Sequence, residues 1–305
     1  SNTDYKNYLY EDTTDSRYVS TDYINTEPTS ATFLFGGTQM GHTYRTSNSL
    51  GGKFDFTMQV SERHELKTGF SFRRDNLEER NISIQYNQNY LQPTVLPENE
   101  SPYHVYYKKN ALQYSAYIQD KMEYSSMIMN LGVRYDAFVP KDSSIADLVY
   151  PQAGKSAASE KTMISPRIGV SLPITDTGIF HFSYGHFYQM PTLRNLYRES
   201  YFGAGLTPTV GNPDLKPEKT VLYEFGFQQQ FGQLIGMDLN LFYKDIRELL
   251  ALQNIRYDSP QYGPSNYDIY LNKDYGTSRG LTLSATKRYD PISKTSIWLD
   301  YTYQK

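Results

Sequence analysis

Histidine offers the side chain best suited to metal binding and to acid–base catalysis at neutral pH, and the chain contains five of them. They are His42, His64, His104, His181 and His186. Only His181 and His186 are close in sequence, and residues five apart on a strand point to opposite faces of its sheet. Cysteine is absent, which excludes thiolate metal sites and disulfides. The histidine spacing therefore predicts no metal site.

Other signatures of catalysis are missing from the sequence as well. It contains neither the Gly-x-x-x-x-Gly-Lys pattern that cradles nucleotide phosphates nor the Gly-x-Ser-x-Gly pattern of serine hydrolases. Carboxylates are numerous, but a glycosidase pair is defined by its separation in space, which spacing along a chain does not give. We predict no catalytic residue and no cofactor, and hence that the protein is not an enzyme.

Aromatic and arginine side chains in long polar segments are the stronger candidates for function. Tyrosine presents a flat apolar face and a hydroxyl group at small entropic cost, which suits a sugar or a peptide, and binding residues concentrate on loops held by a rigid frame. We predict a ligand site formed by Tyr197, Arg198, Tyr201, Phe202, Arg256, Tyr257, Tyr262, Tyr267 and Tyr270. The alternative is that these side chains pack the loops against one another, since tyrosine makes up 30 of the 305 residues.

The segments that must hold these loops alternate between apolar and polar residues. The cleanest run is 235–243, in which every second residue, from Ile235 to Tyr243, is apolar or aromatic. Similar runs lie at 53–60, 66–72, 112–118, 127–135, 164–172, 180–184, 221–227, 281–285 and 297–303. Alternation with period two indicates strands that have one apolar face. About eleven strands and no long helix predict an all-β, antiparallel protein.

Short and long connections alternate along the chain. The tight turns lie at 61–64, 124–126, 175–178, 230–234 and 290–294, and the long polar stretches at about 76–110, 138–162, 189–219 and 247–276. Because antiparallel neighbours reverse direction at each connection, the four long loops would all project from one end of the sheet. Short turns at one end and long loops at the other are typical of a transmembrane β-barrel.

Composition and charge exclude several other classes. Thirty basic residues against 33 acidic ones offer little to nucleic acid, and 15% aromatic residues are wrong for a disordered chain. No stretch approaches the roughly 18 apolar residues of a membrane helix. A soluble β-sandwich also alternates and remains an alternative, but tyrosines near strand ends and one-sided loops favour the barrel.

Several motifs resemble the β-barrel of TonB-dependent outer-membrane receptors. The strongest is GNPDLKPEKTVLYEFGF at 211–227, and SYGHFYQMPTLRNLY at 183–197 is similar to a second family element. LGVRYD at 131–136, SPRIGV at 165–170 and NKDYGTSRGL at 272–281 also fit. The residues that carry the resemblance, which we interpret as structural, are Pro191, Leu193, Asn212, Pro213, Leu215, Pro217, Glu218 and Gly280. The chain departs from the family pattern at Gln189 and Met190, where Arg-Ala is common, and at Thr282, where glutamate is common.

The resemblance implies energised import. Family members are ~22-stranded barrels blocked by an N-terminal plug. Their outer loops and plug capture a scarce ligand, such as an iron chelate, a cobalamin, a glycan or a peptide, and the TonB energy-transducing complex pulls on a segment ahead of the plug. The expected location is the bacterial outer membrane. The expected partners are outer-membrane lipid, the TonB complex and a small ligand, with no nucleic acid.

The number of strands limits how much of such a barrel is present. Eleven strands are too few to close it, and no plug is recognised, so we expect residues 1–305 to form one partial barrel domain, an interior segment of a longer polypeptide. Residues 1–51 are less clear and are predicted as a strand plus a loop. Two alternatives remain: a passive outer-membrane porin or adhesin, and a soluble all-β carbohydrate-binding protein that stays monomeric without detergent.

Overall fold

The structure is a computed structural model, and it describes residues 1–18, 40–87, 92–203 and 205–305. The strands are β1 (Asn2–Asn7), β2 (Gly41–Ser61), β3 (His64–Ser83), β4 (Gln85–Asn87), β5 (Gln92–Thr94), β6 (His104–Tyr124), β7 (Met127–Val139), β8 (Ser143–Ile145), β9 (Lys155–Ala157), β10 (Lys161–Thr175), β11 (Gly178–Gln189), β12 (Thr209–Val210), β13 (Glu218–Phe231), β14 (Ile235–Ser259), β15 (Gly263–Asp290) and β16 (Thr295–Gln304). A 3-10 turn (Ser16–Tyr18) and the helix α1 (Leu193–Tyr197) complete the elements of these residues. None of the described helices is long or apolar enough to cross a membrane.

One sheet contains most of these strands, and apart from β12 they lie side by side in the order in which they occur along the chain. Its order is β1-β2-β3-β6-β7-β10-β11-β13-β14-β15-β12, and β16 also pairs with β15. These pairs are antiparallel except for the two-residue strand β12, which runs parallel to β15. The prediction of an all-β, antiparallel protein is confirmed, and β12 is the exception to it. The pairs β4-β5 and β8-β9 form small hairpins within the long connections.

The two faces of the sheet differ in polarity. On one face of β2, the side chains of Phe54, Phe56, Met58 and Val60 are 43–65% exposed. The register continues this apolar face across the sheet, with Phe54 opposite Phe70 on β3. A soluble domain buries such residues, because apolar area in water costs about 25 cal/mol per Å². The face is therefore suited to contact with lipid.

The opposite face carries polar side chains that bond across the strands. Asp75 on β3 is buried and accepts hydrogen bonds from Ser49 Oγ at 2.5 Å on β2 and from Gln113 Nε2 at 2.7 Å on β6. Ser71 Oγ and Ser115 Oγ lie 2.6 Å apart. The strands of a membrane barrel carry polar side chains on the inner face and apolar side chains on the outer face.

Aromatic rings form a row across the apolar face. Tyr184, Tyr223 and Tyr243 are register neighbours on β11, β13 and β14. Their ring centroids lie 5.0 Å and 6.3 Å apart in that order. Rows of this kind make the aromatic girdles at membrane interfaces, where a ring can keep its hydroxyl in water.

Two of the predicted long loops are in large part strand, and the prediction was wrong there. Residues 247–276 belong to β14 and β15, which run on as a hairpin to a turn at 260–262. Of the stretch 76–110, β3 continues to Ser83 and β6 begins at His104, while residues 88–91 lie outside the described part of the chain. One face of the β14–β15 extension carries Ile255, Ile269 and Leu271, but polar residues such as Gln253 and apolar ones on the other face such as Leu252 break the strict alternation by which a strand is recognised. The backbone hydrogen bonds between the strands form nevertheless, because each extension lies beside a partner strand.

The first residues also have a clear place. β1 pairs antiparallel with β2 over Asn2–Asn7, and β2 begins at Gly41. Residues 19–39 of the segment predicted as strand plus loop lie outside the described residues. Residues 1–51 therefore contribute at least one strand to the same sheet.

Candidate functional site

The long connections gather at one end of the sheet, here called the loop end, and form a packed layer there. The first cluster of this layer joins β3, β6, β7 and β10 to α1 and the segment after it, and consists of Leu77, Tyr107, Ala111, Phe138, Met163, Leu196, Tyr197 and Leu215. Thr192 caps α1 with its side chain, which accepts a hydrogen bond from the Asn195 amide. This cluster ties the connection between β11 and β13 to the strands below it.

Tyr197, a predicted ligand residue, lies inside this cluster. Its side chain is 2% exposed, and its hydroxyl donates to the carbonyl oxygen of Pro140 at 2.6 Å. Burial raises the pKa of Tyr197 well above its ordinary value. The ring of Tyr197 thus packs within the chain, and its hydroxyl group is used in a hydrogen bond within the chain.

A second cluster joins three connections through aromatic rings. Phe202 contacts Tyr257 and Tyr267 edge-on, at centroid distances of 6.2 Å and 5.5 Å. The Tyr267 hydroxyl donates to the carbonyl oxygen of Leu148 at 2.9 Å, and burial raises the pKa of Tyr267 to about 12. The structure thus brings these three predicted residues together as the core of the loop layer.

The remaining predicted ligand residues keep access to solvent. Arg256 is exposed, and Arg198, Tyr201, Tyr262 and Tyr270 are half-buried. The Tyr262 hydroxyl group forms a hydrogen bond with Tyr201, and this bond raises the pKa of Tyr262. Tyr270 packs against the first cluster. A ligand-binding role for these nine residues stays a prediction.

The residues of the 211–227 motif stabilise the loop layer by hydrogen bonds and by packing. Asn212 donates from Nδ2 to the Tyr270 carbonyl at 3.1 Å and accepts from the Asp214 amide at 3.0 Å. Leu215 is fully buried, and the Lys216 amide donates to Asn272 Oδ1 at 2.8 Å. Pro213 is buried, whereas Pro217 and Glu218 are half-buried where β13 begins.

The other motif residues hold close-packed positions. Pro191 is buried ahead of α1, and Leu193 packs against the first cluster. A Cβ atom at Gly280 would lie 2.2 Å from the Tyr303 carbonyl oxygen, so β15 accepts only glycine at this approach of β16.

Two lysines on strands fasten the loop layer by ion pairs. Lys109 Nζ lies 3.0 Å from Asp142 Oδ2 and 2.5 Å from Glu199 Oε1. Lys161, which is buried, pairs with Asp214 and donates to the Ser159 carbonyl at 2.8 Å. Burial opposes ionisation of Asp214, but the hydrogen bonds from Lys161 and Ser159 outweigh it and lower the pKa of Asp214 below 3.8.

A cavity of about 600 Å³ lies on the polar face next to this layer, and the sequence did not predict it. One side is lined by Tyr188, Met190, Pro191 and Thr192, which precede α1, and by Leu193, its first residue. The side chains that give it polar character are Ser71, Arg73, Gln113, Ser115, Arg134, Asp136, Ser165 and Arg167. They come from the polar face of β3, β6, β7 and β10, where each strand offers only alternate residues. The signal in the sequence was the pair of Arg-x-Asp runs at 73–75 and 134–136.

A polar face, an apolar face exposed at 43–65% along β2, and a loop layer at one end together define a transmembrane β-barrel wall. The particular family follows from comparison. Residues 1–305 match the family described as TonB dependent receptor-like, beta-barrel, and the chain belongs to it. The chain is accordingly a protein of the bacterial outer membrane.

Two relatives give the family match more detail. The chain is 24% identical over 208 residues to the TonB-dependent heme receptor A of Haemophilus ducreyi, a match that covers 65% of this chain and 26% of that receptor. It is 28% identical over 140 residues to the hemin receptor of Yersinia pestis, which covers 43% of this chain and 19% of that receptor. The chain therefore spans about a quarter or less of these relatives.

Solved structures share the fold. The outer membrane transporter YddB from Escherichia coli has a TM-score of 0.59 at 17% identity, covering 88% of this chain and 35% of its own. The FrpB iron transporter from Neisseria meningitidis has a TM-score of 0.56 at 16% identity, covering 87% and 36%. At these identities the likeness concerns the fold, and it confirms the predicted membrane barrel over a soluble sandwich.

Proposed function

We propose that the chain forms part of the barrel wall of a transporter that captures a scarce ligand at the cell surface and imports it with energy from the TonB complex. The observation that carries this proposal is the pairing of an exposed apolar face with a polar face, in a chain that belongs to the TonB-dependent receptor family. Residues 1–305 act in it as one barrel domain. The domain catalyses no reaction.

We propose a metal chelate as the cargo. Both named relatives are receptors for heme or hemin, which favours a chelate over a cobalamin, a glycan or a peptide. The glycan and peptide alternatives depended on accessible loop tyrosines, and Tyr197, Tyr257 and Tyr267 are buried. The arginines of the polar-face cavity suit a ligand with anionic groups.

The test is the growth of a bacterial host that has an outer membrane and needs an external source of heme or iron. The full-length receptor should support growth on hemin or on a ferric siderophore, and deletion of TonB in the host should abolish it. Growth that survives the deletion would indicate a passive porin instead. If neither chelate supports growth while the receptor is present in the outer membrane, chelate import is refuted.

A further inference from the structure

Lys219 and Arg247 lie directly opposite each other on the neighbouring strands β13 and β14. Alternate residues of a strand share one face, so Lys219 lies on the face of Tyr223 and Arg247 on the face of Tyr243. This is the apolar, outward face of the wall, because the two tyrosines belong to its aromatic row. Two like charges that oppose each other on one face repel. The contact between these two strands is therefore unfavourable here unless a further group separates the charges.

The charges of this pair are balanced only in part. Arg247 Nε lies 2.9 Å from Asp245 Oδ1, and its guanidinium carbon lies 5.3 Å from the centroid of the Tyr275 ring. Among the described residues, no carboxylate lies at ion-pair distance from Lys219. Asp245 thus neutralises one cation of the pair, and the other stays positive. The ion pair and the cation–π contact fix the guanidinium group on this face.

The pair lies beyond the aromatic row, on the side of the loop end. From Tyr223 to Lys219, and from Tyr243 to Arg247, the chain covers four residues of strand. Four residues span ~13 Å along a strand, or ~10 Å along the membrane normal for a strand tilted by about 40°. On the other side of the row, Phe225 is 47% exposed on the same face and is suited to acyl chains. The two cations therefore lie just outside the hydrocarbon layer, at the level of the polar headgroups of the outer leaflet.

The position of the pair also limits which groups reach it. A plug occupies the inside of a barrel, whereas Lys219 and Arg247 are on its outside. Strands β13 and β14 lie within the sheet, between β11 and β15, so further strands of a longer barrel do not cover them. The partner that faces both cations is thus the outer leaflet of the membrane.

We propose that Lys219 and Arg247 bind a phosphate group of lipopolysaccharide, the lipid that forms the outer leaflet of the bacterial outer membrane and carries phosphates on its headgroup. One phosphate between the two cations replaces their repulsion by two attractions. The planar guanidinium group can donate paired hydrogen bonds to the phosphate, and the ammonium group adds a point charge. This site goes beyond the proposed import function and does not depend on the cargo, because it lies outside the barrel.

The test measures the binding of lipopolysaccharide to the full-length receptor in detergent, by native mass spectrometry during a lipid titration. The probes are rough lipopolysaccharide, which keeps its lipid A and inner-core phosphates, and the same lipid after hydrofluoric acid has removed its phosphates. A basic residue near an anionic lipid strengthens binding about fivefold, so the double variant Lys219→Gln, Arg247→Gln should bind the phosphorylated lipid about thirtyfold more weakly. Its affinity for the dephosphorylated lipid should equal that of the wild type. Lys219→Arg keeps the charge and should bind both lipids as the wild type does.

The matched control is Lys244→Gln, which removes the same charge from the polar face of β14, where the register partners are Leu222 and Ser278. It should bind both lipids with unchanged affinity. Equal affinity of the wild type and the double variant for the phosphorylated lipid overturns the inference, as does an equal loss for both lipids. Displacement of the lipid by an equal concentration of inorganic phosphate also overturns it, because the site would then bind the free anion. If the double variant does not assemble, Lys219→Gln alone with unchanged affinity for the phosphorylated lipid overturns it.

Discussion

The substitution Tyr197→Phe separates the two roles considered for the loop tyrosines. Phenylalanine keeps the shape of the ring in the first cluster and removes only the hydroxyl group that donates to the Pro140 carbonyl at 2.6 Å. Because Tyr197 is 2% exposed, water cannot replace that donor in the folded loop layer. A buried acceptor left without its partner costs about 1–3 kcal/mol.

The expected consequence is local, since other contacts hold the strands together. Each 1.4 kcal/mol changes an opening equilibrium about tenfold, so amide exchange that proceeds by opening of the loop layer should speed up by about fivefold to 150-fold. The amides that report on it belong to Arg198, Gly211 and Asn212, which bond to the carbonyl groups of Arg194, Arg198 and Asn195. Hydrogen–deuterium exchange on the full-length receptor in micelles measures these rates.

The matched control is Tyr103→Phe, because Tyr103 is 43% exposed in the connection between β3 and β6 and its hydroxyl stays in water. It should change the exchange rates less than threefold. A packing role for Tyr197 also requires that Tyr197→Phe bind hemin as the wild type does. Unchanged exchange together with weaker hemin binding would refute this reasoning and support a direct ligand contact by the hydroxyl group.

Two further predictions follow from the ion pairs and from the apolar face. The pKa of Asp214 is lower in the folded chain than its ordinary value of 3.8, so its pair with Lys161 stabilises the loop layer above about pH 4 and is lost as the pH falls through the lowered value. Pepsin should therefore cleave the connection between β11 and β13 faster at pH 2 than at pH 4. The variant Asp214→Asn lacks the ion pair at every pH, so its cleavage rate should depend less on pH. An equal pH dependence of cleavage in both proteins would contradict this prediction. Leu131→Arg places a charge on the apolar face of β7 and should lower the free energy of unfolding by about 2–4 kcal/mol in denaturant titrations in lipid. The neighbouring substitution Asn130→Arg lies on the polar face and should lower the free energy of unfolding much less. Equal losses of stability in the two variants would show that the two faces are assigned wrongly.

The predicted strands and the observed ones agree best inside the membrane span. There, the apolar face meets lipid and the polar face does not, so residues such as Ile235 to Tyr243 alternate strictly and reveal both the strand and its orientation. The extensions of β14 and β15 beyond this span obey no such constraint. Their side chains contact water or other loops on both faces, and for this reason 247–276 resembled a loop in the sequence.

The sequence by itself determined the class of the fold, its two-sided polarity and the family, because these depend on residue type at regular spacing. It did not determine which loop tyrosines are accessible. Burial of Tyr197 and Tyr267 depends on Pro140 and Leu148, which are 57 and 119 residues away along the chain. Such neighbours are set by the folding of the chain, so the tertiary structure alone decided which of the loop tyrosines are buried.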